Sequence, residues 1–152
     1  MTLYFAYGAN MERAAMEKRC ADAIALGPAR LSGWRYVITQ GYGSVAPARG
    51  SAVFGVLWSL TPRDLAALNI FENLDSGLYR RVVLTVETGE QRVRALVYVG
   101  CHGGKRRPMP GYQERVVAAA QDWRFPAHYI ELLRRLAPSY RAARPAETGE
   151  IG

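Results

Sequence analysis

The sequence predicts an α+β fold in which helices surround a mainly antiparallel, barrel-like sheet. Two alternating strands joined by the short turn Gly89-Glu90, and two amphipathic helices toward the C terminus, are the observations that predict it. Elsewhere strands and helices alternate too irregularly for a doubly wound nucleotide-binding fold. At 152 residues we expect one domain over residues 1–137, followed by a flexible tail at 138–152.

The individual elements follow from periodicity and from residues that begin or end helices. Strands are predicted at residues 3–7, 31–39, 52–60, 79–87 and 92–99, and helices at residues 11–20, 63–71, 112–123 and 126–136. Asn10 is expected to cap the first helix, while Thr61 caps the second and Pro62 occupies its first turn. Residues 100–111, rich in glycine, proline and basic side chains, are predicted to form a loop.

The composition limits which side chains can carry chemistry. Two cysteines, Cys20 and Cys101, and two histidines, His102 and His128, are too few for a disulfide framework, a four-cysteine zinc site or a histidine-rich metal centre. We therefore expect neither a metal nor a cofactor. Carboxylates, tyrosines, backbone amides and arginines remain as the groups on which a reaction would depend.

The positive net charge points only weakly to a partner. There are 20 Lys and Arg against 13 Asp and Glu, a net charge of +7, but the basic residues are scattered. This pattern favours a solvated surface, with attraction of anionic small molecules next and nucleic-acid binding last. No signal peptide and no membrane-spanning stretch is recognisable. We expect a cytoplasmic monomer or homodimer that acts on a small molecule and binds neither nucleic acid nor a membrane.

The first candidate site is the N-terminal loop, defined as Tyr7, Gly8, Ala9 and Asn10. Gly8 permits a sharp turn and a close approach of another molecule. The helix predicted to follow presents unpaired N–H groups, which could bind a carboxylate or stabilise an oxyanion. An ordinary strand-to-helix turn is the alternative. The glycine spacing is not that of a dinucleotide-binding loop.

Glu72 and three tyrosines form the second candidate site. Glu72 closes an apolar helix, where aromatic neighbours could raise the pKa of its carboxyl toward neutrality; a surface carboxylate is the alternative. Asp75, in the same segment, is expected to form an Asx turn. Tyr79, Tyr112 and Tyr129 each lie near the start of a strand or helix, where a hydroxyl can point into a cavity. Packing in the core is the alternative for all three tyrosines.

Several motifs occur in an informative order. They are residues 3–11 (LYFAYGANM), residues 26–34 (LGPARLSGW), residues 53–58 (VFGVLW), Glu72 with residues 77–81 (GLYRR), residues 108–112 (PMPGY) and residues 125–129 (FPAHY). This series resembles the gamma-glutamylcyclotransferase family, including its plant avirulence-induced-gene branch, whose N-terminal loop reads Y-G-S-N-L. The resemblance extends from about residue 3 to residue 135 and implies a gamma-glutamylcyclotransferase-like fold.

The resemblance also implies a reaction: cyclisation of a γ-glutamyl compound to 5-oxoproline with release of an amine or amino acid. It implies Glu72 as the general acid/base, the N-terminal loop as the part that binds the glutamyl end, and a pocket lined by Tyr79, Tyr112 and Tyr129. Arg80 and Arg81 beside this pocket are expected to attract anionic substrates.

Two positions depart from the family pattern, and both bear on substrate choice. Ala9 stands where the family usually has Ser, and Asn73 stands where Gly is common. A cyclotransferase specific for γ-glutamylamines or for a biosynthetic γ-glutamyl intermediate is one alternative. A non-catalytic module that binds a small molecule on the same fold is the other.

Overall fold

The computed structural model describes residues 1–72, 77–101, 104 and 106–139, which form a closed five-stranded barrel with four α-helices. The predicted α+β barrel is thereby confirmed. The tail from residue 140 onward, Asn73 and Asp75 lie outside the described residues. The strands are β1 (Thr2–Ala6), β2 (Ile24–Thr39), β3 (Tyr42–Leu60), β4 (Tyr79–Thr88) and β5 (Gln91–Gly100), and the helices are α1 (Arg13–Arg19), α2 (Pro62–Phe71), α3 (Tyr112–Asp122) and α4 (Ala127–Arg134).

The strand order determines what meets at one end of the barrel. The order is β1-β3-β2-β4-β5, and β1 closes the barrel by pairing in parallel with β5 and antiparallel with β3. Tyr79 at the start of β4 lies opposite Gly100 at the end of β5. Because β1 and β5 run in the same direction, the N-terminal loop leaves the barrel at this same end. The first residues of β4 and the N-terminal loop are therefore brought together.

Strands β2 and β3 form a hairpin much longer than predicted. They begin at Ile24 and Tyr42, whereas the sequence predicted strands from residues 31 and 52. Glycines and prolines in both strands are signals that normally end a strand. The ladder between β2 and β3 has two register shifts, one between Ala25 and Gly27 and one between Ser32 and Trp34, and it continues beyond both of them.

The first helix differs from its prediction at its N terminus, whereas the second begins as predicted. A 3-10 turn at Ala9–Met11 precedes α1, and Glu12 rather than Asn10 occupies the cap position. Thr61 caps α2 in a reciprocal capping box with Asp64, which fixes the start of that helix.

The core fills the barrel interior with apolar side chains such as Phe5, Leu31, Val53 and Val97. Among the described residues, no helix is long and apolar enough to cross a membrane.

Candidate active site

A cavity of about 390 Å³ opens at the barrel end where β1 and β5 finish and β4 begins. It brings together seven of the eight predicted site residues: Tyr7, Gly8, Ala9, Asn10, Glu72, Tyr79 and Tyr112. Tyr4, Arg19, Tyr42, Tyr98 and Arg115 line it too and were not predicted as site residues. The walls are therefore largely aromatic, and their charged groups are one carboxylate and two guanidinium groups.

Glu72 is held at the cavity by the end of α2. It is the first residue beyond the helix, and its backbone N–H donates to the carbonyl oxygen of Leu68 at 2.9 Å. Burial raises the pKa of the Glu72 carboxyl to about 7, and the positive charge of Arg19 opposes that rise. Near neutral pH both the protonated and the ionised form are populated, so this carboxyl can both accept and donate a proton.

The hydroxyl groups of two cavity tyrosines are fixed on the backbone of β3. Tyr79 Oη donates to the carbonyl oxygen of Gly43 at 3.0 Å, and the Gly43 N–H donates to Tyr112 Oη at 3.1 Å. Burial raises the pKa of Tyr79 and of Tyr112, so both remain neutral at ordinary pH. They can serve as hydrogen-bonding groups but not as bases.

The N-terminal loop is attached to the barrel through the side chains of Tyr7 and Asn10. Tyr7 Oη donates to the carbonyl oxygen of Tyr98 on β5. Asn10 Nδ2 donates to Tyr4 Oη at 3.0 Å, and its Oδ1 accepts from Arg19. Asn10 is buried and engaged on both sides of its amide, which explains why it does not cap α1.

Gly8 leaves space for a tyrosine hydroxyl. A Cβ atom added at Gly8 would lie 2.6 Å from Tyr112 Oη. The Ala9 N–H is also directed at the Tyr112 hydroxyl. Glycine thus permits the close approach of Tyr112 to the N-terminal loop.

We expect Gly8→Ala to weaken substrate binding because the new methyl group displaces the Tyr112 hydroxyl from the N-terminal loop. An overpacked site of this kind costs about 1–3 kcal/mol, which corresponds to roughly a tenfold to hundredfold loss of kcat/KM. Steady-state kinetics on a γ-glutamyl dipeptide, the substrate class that the sequence resemblance implies, measure this loss. Gly8→Ala combined with Tyr112→Phe, which removes the clashing oxygen, should be less impaired than the product of the two single effects. If the loss in the double variant equalled the product of the two single losses, a clash between the new methyl group and the Tyr112 hydroxyl would be contradicted.

Tyr129 lies elsewhere, and its predicted place in the pocket is corrected. It is buried on α4, with its ring centroid 5.0 Å from that of Phe54 and 6.2 Å from that of Phe125. The side chain shares the buried face of α4 with Leu133, one turn later. This face contacts Phe54 of β3 and Phe125, and Tyr129 is not among the residues that line the cavity.

The guanidinium groups of the site are not those expected from the sequence. Arg80 and Arg81 are exposed on β4 and do not line the cavity. Arg19, at the end of α1, and Arg115, in the first turns of α3, line it instead. Arg115 also donates to Glu12 at 2.6 Å. In the sequence, both arginines look like ordinary surface residues of a helix. Their place at the cavity becomes evident only from the packing of α1 and α3 at this end of the barrel.

The family model described as "Gamma-glutamyl cyclotransferase, AIG2-like" matches residues 4–125. The chain belongs to this family. Gamma-glutamylcyclotransferases from Bos taurus and Homo sapiens are 25% and 27% identical to it over 149 residues, which cover 90% of this chain and 79% of each relative.

Solved structures share the family fold. A structure named "Gamma-glutamyl cyclotransferase" superposes with a TM-score of 0.83 at 24% identity and covers 99% of this chain and 96% of its own. YkqA from Bacillus subtilis superposes with a TM-score of 0.77 at 23% identity, and the match covers 93% of this chain and 56% of YkqA. At these identities the likeness establishes the fold, and the chemistry is argued from the cavity itself.

Proposed function

We propose that this protein cyclises γ-glutamyl compounds to 5-oxoproline and releases the amine or amino acid carried on the γ-carbonyl. The observation that carries the proposal is the position of Glu72, whose partly desolvated carboxyl shares one cavity with the N-terminal loop. The names of the relatives point to the same reaction.

The substrate supplies its own nucleophile in this reaction. Its α-amine attacks the γ-carbonyl, a C–N bond forms to close a five-membered ring, and the bond between the γ-carbon and the leaving nitrogen breaks. Glu72 takes the proton that the α-ammonium loses and delivers a proton to the leaving nitrogen. Well-oriented intramolecular reactions reach effective molarities on the order of 10⁵–10⁸ M, so folding the substrate supplies much of the acceleration.

The N-terminal loop is proposed to bind the glutamyl end and the developing oxyanion. Its backbone N–H groups lie at the cavity, and one oxyanion donor is worth roughly 10²–10³ in rate. The Ala9 N–H is directed at Tyr112 Oη, so a bound substrate oxygen would share or replace that contact. The neutral hydroxyl of Tyr112 is itself a donor at the same place.

The leaving group is proposed to lie in an adjoining lobe of about 380 Å³. Ala9, Tyr42, Tyr112 and Arg115 line both this lobe and the main cavity, and Met109 borders the lobe on its outer side. Glu12 lines the same lobe and pairs with Arg115 at 2.6 Å. A guanidinium has five N–H donors, so Arg115 at the junction can donate to a carboxylate on the leaving group as well. We therefore place γ-glutamyl amino acids ahead of γ-glutamylamines as substrates.

Release of 5-oxoproline from a substrate panel tests the function. γ-Glutamyl-alanine and γ-glutamyl-ethylamine differ by one carboxylate, and Nε-(γ-glutamyl)-lysine represents the larger amines. We expect 5-oxoproline from γ-glutamyl-alanine, measured by liquid chromatography, and slower release from γ-glutamyl-ethylamine. If members of the panel bound to the protein but none released 5-oxoproline, the proposed enzymatic function would be wrong and a binding module would be supported. Faster release from the amines would support the γ-glutamylamine alternative.

A further inference from the structure

Arg19 connects the two halves of the candidate site. It is the last residue of α1, and its Nη1 donates to Asn10 Oδ1 in the N-terminal loop. On its other side, the guanidinium carbon lies 3.8 Å from the ring centroid of Phe71. Phe71 immediately precedes Glu72 and is the last residue of α2. One side chain therefore contacts both the loop proposed to bind substrate and the helix end that carries the carboxyl.

This bridge matters because Glu72 directly follows the last residue of α2. Its N–H still bonds to the carbonyl oxygen of Leu68, but no further helical turn follows it, and the last carbonyl groups of a helix lack partners within the helix. The Phe71 ring is 41% exposed, so it is not held by burial in the core. The planar guanidinium of Arg19 packs on this ring and donates a hydrogen bond to the buried Asn10. These contacts limit the movement of Phe71 and of Arg19 itself.

Arg19 is also the cationic side chain that acts electrostatically on Glu72. The titratable and charged side chains around Glu72 come from six elements and the N-terminal loop: Arg19 on α1, Tyr4 on β1, Tyr7 on the loop, Tyr42 on β3, Tyr79 on β4, Tyr98 on β5, and Tyr112 and Arg115 on α3. Tyr4, Tyr7, Tyr79, Tyr98 and Tyr112 have a raised pKa and are neutral near pH 7. Arg19 lowers the pKa of Glu72 against the effect of burial.

We propose that Arg19 is a positioning residue that ties Glu72 to the N-terminal loop through Phe71 and Asn10. This inference rests on the proposed function, because it assigns Arg19 a role in the same proton transfer. Misplacement of a catalytic group by about 1 Å can cost on the order of 10²-fold in rate. Loss of Arg19 should therefore lower kcat more than it changes KM.

The test compares Arg19→Met with Arg13→Met in the full chain. Arg13, on the same helix, packs on the ring of Trp123 at 3.7 Å and pairs with Asp122 at 2.9 Å, outside the cavity. Both substitutions remove a stacked guanidinium, but only Arg19 contacts the site. We expect Arg19→Met to lower kcat by roughly 10–10²-fold and to move the acidic limb of the kcat profile to higher pH. Arg13→Met should change neither quantity.

Arg19→Lys separates charge from geometry. Lysine keeps the positive charge but loses the planar fork and the stacking surface. The acidic limb of the kcat profile of Arg19→Lys should remain close to that of wild type, while its kcat remains reduced. If Arg19→Met does not fold, Arg19→Lys still provides the test. A wild-type kcat and pH limb in both Arg19 variants, or the same changes in Arg13→Met, would overturn the proposal.

A readout that needs no turnover keeps this inference distinct from the proposed function. The Glu72 carboxyl can be titrated by NMR in protein labelled with ¹³C-glutamate, with its resonance assigned by its absence in Glu72→Gln. We expect its pKa to be higher in Arg19→Met than in wild type and unchanged in Arg13→Met. If wild type released no 5-oxoproline, the proposed function would be wrong, and this titration would still decide whether Arg19 acts on Glu72.

Discussion

Replacing Glu72 by Gln is expected to abolish release of 5-oxoproline while leaving the fold and substrate binding in place. The amide has nearly the shape of the carboxyl, but it cannot exchange a proton with the substrate amine near neutral pH. A positioned general acid/base contributes ~10²–10⁴-fold, so kcat should fall by that factor with little change in KM. Initial rates measure the loss, and calorimetric titration with a γ-glutamyl ligand measures the retained binding.

Glu87→Gln is the matched control for this substitution. Glu87 lies on β4, where its partly exposed side chain accepts from Arg30 at 2.9 Å, outside the cavity lining. The same chemical change there should leave kcat at the wild-type value. Near-normal turnover in Glu72→Gln would show that this carboxyl takes no part in the reaction.

Local signals in the sequence predicted where Glu72 would lie, because the elements around it are specified locally. Thr61, Pro62 and Asp64 fix the start of α2, and the apolar pattern fixes its length. Glu72 at the helix end follows directly. The alternating strands and the short turn between them predicted β4 and β5 for the same reason.

The guanidinium groups of the site could not be predicted in this way. Arg19 and Arg115 belong to helices far apart in the chain, and nothing in either helix indicates which neighbour will face them. Arg80 and Arg81 are close to Tyr79 in sequence but lie exposed on β4 and do not line the cavity. Tertiary packing, rather than nearness in sequence, determines which charges enter the cavity.

The tyrosines show the same limit. Tyr79 and Tyr129 both lie near the start of an element, yet only Tyr79 reaches the cavity. The start of β4 is at the barrel end where β1 and β5 finish, whereas α4 packs its buried face on Phe54 of β3. The pairing of β1 with β5 determines the end of the barrel at which each element begins. This pairing joins residues far apart in sequence, so local sequence patterns do not predict it.

Glu72→Gln is also expected to make the protein more stable at pH 8 than wild type. Burial raises the pKa of Glu72 from the ordinary 4.5 to about 7, so the folded state keeps a proton that the unfolded chain has released. Between these two values the stability of wild type falls as pH rises, and above pH 7 the full cost of burying the charge is present. A neutral glutamine avoids this cost, which we place at about 1–3 kcal/mol after allowance for partial exposure.

Denaturant unfolding of both proteins at pH 4 and pH 8 measures the effect. The difference in the free energy of unfolding should be near zero at pH 4, where the carboxyl is protonated in both states, and largest at pH 8. Glu87 gives the opposite sign, because hydrogen bonds from Arg30 and Ser32 lower its pKa, so Glu87→Gln should bring no gain at pH 8. Equal stability of Glu72→Gln and wild type at pH 8 would mean that the carboxylate is not desolvated.

The two Glu72 predictions share one physical cause and test it together. The desolvation that brings the pKa of the carboxyl near 7 is also what makes its ionised form costly in the folded protein. A general acid/base should therefore lose turnover and gain stability when it becomes glutamine. A carboxylate that serves the fold should lose stability instead, because glutamine cannot replace a charged hydrogen-bond acceptor. The sign of the change at pH 8 thus distinguishes a catalytic Glu72 from a structural one, independently of which substrate is used.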